Sequence, residues 1–288
     1  MKIIDIIKSD KPSLSFEVFP PKTSDTFDVI KGAIEKIAEL QPSFMSVTYG
    51  AGGGTSDFTT SLARDIKDNF GVTPLAHLTC INSTKEDIKL ILSELKDAGI
   101  DNILALRGDI TEQNKDKIKF DYKYASELVQ DIKAFGDFCV GGACYPDAHP
   151  ESASQKQDIE NLKIKVDAGC EFLTTQMFFD NNVLYNYLYK IREAGITVPI
   201  VAGIMPVTNA KQIKRSCALS GTMLPPRFKA IIDRYASNPE AMCQAGIAYA
   251  TEQIIDLYAN GVNAVHVYSM NKPHIAKKIQ ENISEILK

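Results

Sequence analysis

Residues 75–107 read LAHLT, then CINSTKEDIKLILSELKDAGIDN, then ILALR. Leu75–Thr79 and Ile103–Arg107 are short apolar runs of strand length, and the stretch between them is amphipathic with helical spacing. Ser83-Thr84-Lys85-Glu86 has the spacing of a capping box and opens a helix that runs to Ala98. Gly99 then stands where a helix exit favours the left-handed conformation, and the chain enters the next strand. This is one strand–helix–strand unit, and its exit recurs as Asp167-Ala168-Gly169-Cys170, Glu193-Ala194-Gly195-Ile196 and Ala259-Asn260-Gly261-Val262.

Outward from that unit, further strands are expected at Leu14–Phe19, Phe44–Thr48, Phe138–Ala143, Phe172–Gln176, Ile200–Gly203 and Ala264–Tyr268. Eight such units, mostly about 30 residues apart, predict an α/β chain folded as a (β/α)₈ TIM barrel. Between strands 7 and 8, Pro206–Gly261 leaves room for two or three extra helices, broken at Pro225-Pro226 and Asn238-Pro239. An open doubly wound sheet would need a glycine-rich phosphate turn after its first strand, and the residues there are Phe19-Pro20-Pro21-Lys22. The 288 residues suit a single barrel domain over 1–288, the usual size being ~250.

Composition removes several function classes. Lys and Arg total 32 against 36 Asp and Glu, a net charge of −4 with no basic run, so neither nucleic acid nor an anionic membrane is an expected partner. No apolar stretch approaches the ~20 residues that span a bilayer, and Met1–Lys11 is too short and charged for a secretory signal, so a cytoplasmic protein is expected. Six scattered cysteines without Cys-x-x-Cys, and four histidines without a metal-binding spacing, argue against a disulfide framework and a metal hydrolase. No metal is expected.

Barrel strands are covered on both faces, so polar residues within them need a reason. Alternation puts Ser13, Ser15 and Glu17 on one face of the first strand and Leu14, Phe16 and Val18 on the other. The division recurs for Ser46 and Thr48, His77 and Thr79, Thr174 and Gln176, and His266 and Tyr268. The polar members gather toward C-terminal strand ends, where barrel enzymes build their sites, and together predict an enzyme with a polar mouth. Around that mouth, Gly50–Thr55 reads as either a phosphate-binding or a plain loop, and Arg107-Gly108-Asp109 sets a cation beside a carboxylate. Gly141–Pro150 forms a stiff aromatic wall, while His274 reads as solvated surface.

As a set, Phe16-Glu17-Val18-Phe19-Pro20-Pro21, Ser46–Ala51, His77–Cys80, Ala105–Asp109, Tyr145-Pro146 with His149-Pro150-Glu151, and Thr175-Gln176 with Phe178-Phe179-Asp180 resemble the methylenetetrahydrofolate reductase family through nearly the whole chain. The resemblance implies an FAD-containing barrel that reduces 5,10-methylenetetrahydrofolate to 5-methyltetrahydrofolate with NADH or NADPH, by a ping-pong cycle. It implies catalytic roles for Glu17, as general acid, and for Asp109, beside the flavin and pterin. It places FAD against Thr48, Tyr49, Ala51, His77, Leu106, Arg107, Gly108, Asp109, Tyr124, Ala125, Tyr145, His149, Asp158, Asn161 and Lys165, with Arg107 and Lys165 facing the pyrophosphate. Substrates would meet Gln176, Gln212, Tyr268 and Lys272.

Three positions depart from that pattern. Lys272 stands where relatives carry an arginine, Ser216 where a relative carries an aromatic, and Cys170 where alanine is common. The chain is expected to lack the C-terminal regulatory domain of eukaryotic forms and to associate as a homo-oligomer. Alternatives are an FAD-binding barrel subunit fed by an electron-transfer partner protein, and a flavin-free pterin-binding barrel methyltransferase.

Overall fold

A computed structural model describes residues 1–21, 24–49, 56–110 and 121–288. Eight parallel strands close into a barrel in sequence order: β1 (Ser13–Val18), β2 (Met45–Val47), β3 (Pro74–Thr79), β4 (Asn102–Leu106), β5 (Cys139–Cys144), β6 (Phe172–Thr175), β7 (Ile200–Ile204) and β8 (Ala264–Tyr268). Around them lie α2 (Phe27–Ala38), α3 (Ser56–Phe70), α4 (Lys85–Asp97), α5 (Ala125–Phe135), α6 (Gln155–Asp167), α7 (Asn181–Glu193), α10 (Pro239–Ala259) and α11 (Pro273–Asn282); α1 (Ile3–Ile7) precedes the barrel. The expected insertion is α8 (Ala210–Ser220) and α9 (Pro226–Tyr235) ahead of the long α10. Its breaks fall where sequence put them, with Pro226 and Pro239 each in a first helical turn.

Outward-facing residues such as Phe16, Val47, Leu78, Ala105, Leu173 and Val267 pack against the helices in one large apolar cluster. The pairing registers, stepped one residue per strand, stack the inward residues in layers of four. At the N-terminal end Phe44, Leu75, Phe172 and Val201 form an apolar floor with Ile3, Ile4 and Ile7 of α1. Above it come Ser46, Leu104, Thr174 and His266, then Glu17, His77, Ala143 and Gly203, then Thr48, Leu106, Gln176 and Tyr268. A Cβ at Gly141 would stand 2.4 Å from the Phe172 ring, so the glycine is what lets that phenyl fill the floor.

The four anticipated glycine exits all have positive φ, and at the first the N–H groups of Gly99 and Ile100 cap Lys96 and Leu95 carbonyls at 2.9 Å. The start of α4 is one residue later than expected. Thr84, not Ser83, accepts from the N–H of Asp87 at 3.1 Å, and the Asp87 carboxylate accepts from the N–H of Thr84 at 2.8 Å. Ser83 instead closes the preceding turn, its N–H donated to Cys80 O at 3.0 Å. All six cysteines are free, four of them buried, and among the described residues no helix is long and apolar enough to cross a membrane.

Candidate active site

Because Leu14, Phe16 and Val18 turn outward to the helices, Glu17 must point into the barrel, and only 21% of its side chain is exposed. Burial pushes its carboxyl up to about 8. In the same layer His77 Nε2 lies 3.8 Å from Glu17 Oε2 and has no hydrogen-bond partner. Burial pushes this imidazole down to about 3, so it is neutral near pH 7. Thr174 Oγ1 is also buried without a partner.

Thr174 belongs to the layer below, where the polar groups around His266 are paired. Ser15 Oγ donates to Val265 O at 3.0 Å, so it accepts from His266 Nδ1–H at 2.7 Å, and Nε2 accepts from Ser46 Oγ–H at 2.8 Å. The ring stacks on Phe44 with centroids 5.4 Å apart. Part of the polar pattern expected to line a mouth is thus a sealed internal network. His266, Ser15 and Ser46 are buried beneath the mouth, while Glu17, Thr48, Gln176 and Tyr268 reach it.

At the rim, Arg107 makes a fork with Glu151: Nη1 donates to Oε2 at 2.7 Å and Nη2 to Oε1 at 2.6 Å. Sequence set Asp109 beside this guanidinium, and its charge acts on Arg107 there; the fork itself goes across to Glu151, 58% exposed, on the β5 loop. Asp109 is exposed. Gly108, at φ +91°, carries the turn, and a Cβ there would meet Ile81 Cγ2 at 3.0 Å. Tyr145 and His149 contact edge to face, centroids 4.6 Å apart, and His149 Nδ1 accepts from the N–H of Glu151 at 3.1 Å. Burial pushes the Tyr145 phenol up to about 12.

Behind this wall α6 presents Asp158, buried and accepting from Ser152 Oγ at 3.2 Å, and the exposed Asn161. Lys165 donates its ammonium to Ala143 O, and burial lowers its pKa. Thr48 donates its N–H to Val18 O, and half-buried Tyr49 packs on the outer core beside it. Leu106 is half-buried at the end of β4, Tyr124 is exposed and Ala125 begins α5. Ala51 and the whole Gly50–Thr55 run lie outside the described residues.

Gln176 accepts the N–H of Met177 on its own Oε1 at 2.8 Å, which leaves its NH₂ as the donor it offers. Tyr268 donates its hydroxyl to Thr175 O at 2.6 Å, its phenol flush on Gly203. Beside it opens a cleft of about 200 Å³ lined by residues including Met205, Thr208, Gln212, Ser216, Met270 and Lys272, the Lys272 ammonium donating to Thr208 Oγ1 at 3.0 Å. Sequence reasoning gave no role to Asn271, which takes the N–H of Phe19 on Oδ1 at 3.0 Å and returns its Nδ2 to Phe19 O at 2.8 Å. It likewise gave none to Glu151; that residue lies within a quoted motif, but nothing in its spacing signals the fork.

A model of the methylenetetrahydrofolate reductase family matches residues 2–284. The chain belongs to that family. The 5,10-methylenetetrahydrofolate reductase of Escherichia coli K12 is 36% identical across 93% of this chain and 89% of its own length. The Pectobacterium carotovorum protein of that name is also 36% identical, over 93% and 88%. Methylenetetrahydrofolate reductase (NADH) 1 of Zea mays is 35% identical over 99% of the chain, which spans half of the maize protein. Among solved structures, a Clostridium thermocellum protein that binds two copies of 5-methyl-5,6,7,8-tetrahydrofolic acid superposes with a TM-score of 0.68 at 13% identity, covering 98% of this chain and 99% of that one. At that identity the likeness is one of fold. Membership makes the chain an oxidoreductase.

Proposed function

We propose that this methylenetetrahydrofolate reductase family member reduces 5,10-methylenetetrahydrofolate to 5-methyltetrahydrofolate, with electrons from NADH or NADPH passed through a noncovalently bound FAD in a ping-pong cycle. The observation that carries the reading is Glu17: a carboxyl at the barrel mouth whose burial keeps it protonated to about pH 8. Opening the methylene bridge to a reactive iminium requires a proton on the departing nitrogen, and this group can hold one at neutral pH.

The rim fits an FAD on three counts. Arg107 and Lys165 supply two cations for a pyrophosphate, Gly108 keeps the β4 turn free of a Cβ, and Tyr145 with His149 offers an aromatic wall. Arg107 must then exchange its Glu151 fork for phosphate oxygens. Thr48, Tyr49, Ala51, His77, Leu106, Tyr124, Ala125, Asp158 and Asn161 complete that surface in this reading. Held by these residues, FAD would supply hydride transfer between the nicotinamide and the folate.

The chain's own residues do the rest. Glu17 gives its proton to the departing folate nitrogen and must regain one each turnover. Asp109 sets a negative charge at the rim that stabilises the cationic iminium. Gln176 offers amide hydrogens to the pterin or nicotinamide, and Gln212, Tyr268 and Lys272 border the cleft for the folate tail. Lys272 meets a tail carboxylate as a point charge.

Glu17→Gln separates the half-reactions. Stopped-flow flavin reduction by the nicotinamide is expected to survive, while reoxidation by methylenetetrahydrofolate falls by ~10² or more. An equal fall in both halves overturns the role of Glu17, and failure of the purified protein to bind FAD overturns the cofactor.

A further inference from the structure

Glu17 and His77 are the two polar members of a layer whose other members, Ala143 and Gly203, offer no polar side chain. Among the described residues the Glu17 carboxyl has no hydrogen bond, and His77 Nε2, buried, has none either. A buried ring nitrogen left unpaired weakens the fold, so its retention calls for a function. The two atoms are 3.8 Å apart, and a shift of under about 1 Å in the carboxyl brings them into hydrogen-bond range.

We propose that His77 is a positioning residue for the Glu17 proton: its Nε2–H donates to Glu17 Oε2, which leaves the acid hydrogen on Oε1, turned to the mouth. This rests on the reading of Glu17 as the general acid. A protonated carboxyl has one hydrogen to give and two oxygens on which to carry it. A donor at Oε2 fixes the choice. The opposite tautomer, with a bare Nε2, would accept the acid hydrogen and turn it away from substrate. The groups around the carboxyl agree with a neutral donor. His77 on β3 and His266 on β8 are both pushed down by burial to about 3, Tyr268 on β8 is held well above its usual range, and Tyr145 is pushed up to about 12. No cation among them would ionise Glu17.

The test uses the FAD-loaded protein. Long-range ¹H–¹⁵N correlation of the histidine rings is expected to show His77 neutral with its proton on Nε2; a bare Nε2 overturns the inference. In His77→Leu the rate of the folate half-reaction at its acid plateau is expected to fall ~10-fold, one hydrogen bond's worth. At the same time its alkaline limb moves to higher pH, because the donor that favours the carboxylate is gone. His77→Gln, which keeps a donor, restores both. A purely structural or cofactor-holding role predicts no shift of the limb, and that result overturns the inference. The C=O stretch of protonated Glu17, read by infrared difference against Glu17→Gln, is expected to move up in frequency in His77→Leu; an unmoved band counts against it. Should Glu17→Gln leave the folate half-reaction intact, the general-acid reading itself fails. A fall in Glu17→Gln with an unchanged limb in His77→Leu removes only the role of His77.

Discussion

His266 and His77 lie one layer apart inside the same barrel, both buried, both neutral for the same reason, and their surroundings are opposite. His266 has a hydroxyl on each ring nitrogen and a phenyl stacked beneath it. His77 faces a carboxyl just beyond hydrogen-bond range and leaves Nε2 without a partner. A polar group whose bonds are all made within the chain has nothing left to offer a ligand, and it holds the barrel together. One whose bonds are unmade weakens the fold and is kept for chemistry. From His266 up to His77 the ring crosses from the first condition to the second.

The sharpest way to break this contrast is to remove each ring in turn. His266→Leu strands the Ser46 hydroxyl in the interior and is expected to cost about 2–3 kcal/mol, read from the denaturant midpoint at constant m. His77→Leu loses only the contact with Glu17, strands no hydroxyl in the interior and should cost clearly less. Equal losses would erase the distinction.

A smaller effect concerns the acid itself. A carboxyl near 8 in the folded chain and near 4.5 unfolded holds its proton in the native state across the window between. The Glu17 contribution to stability is therefore greatest below about pH 4.5 and declines as pH rises to 8. Glu17→Gln removes that decline, so its Tm should exceed the parent's by roughly 3–6 °C at pH 8, with the gain fading toward pH 4. A gain independent of pH would mean that burial is not what raises the carboxyl.

The smallest effect tests the rim. Glu151 is more than half exposed, so its fork to Arg107 is worth at most about 1 kcal/mol. Glu151→Gln frees the guanidinium for phosphate and should tighten FAD up to ~5-fold by titration. Weaker binding would make Glu151 an orienting partner of Arg107 and not a competitor.

The barrel was legible because its signals are local and repeated: apolar runs of strand length, and glycine exits at Gly99, Gly169, Gly195 and Gly261. Cap placement slipped by one residue at Thr84, where Ser83 and Thr84 compete for one role and Glu86 and Asp87 for the other. The polar faces of the strands were read correctly, but not their depth. Whether His77 or His266 sits at the mouth depends on stagger between strands far apart in sequence, which alternation along one strand does not encode. The fork between Arg107 and Glu151, and the two hydrogen bonds between Asn271 and the Phe19 backbone, join residues 44 and 252 apart, with no spacing signal between them.

The pairing of β1 with β8 bears on how the protein is made. Glu17 lies beside Tyr268, its own carbonyl takes the Ser269 hydroxyl at 2.6 Å, and the next loop is held by Asn271. The carboxyl thus sits on the first strand of the ring, yet the wall beside it arrives only with the eighth. Until the final strand docks, the β8 side of Glu17 is open to solvent, which draws its pKa back toward the ordinary carboxylate range. A ribosome-bound or prematurely stopped chain that has built seven strands should therefore lack the protonated carboxyl that the proposed role of Glu17 requires.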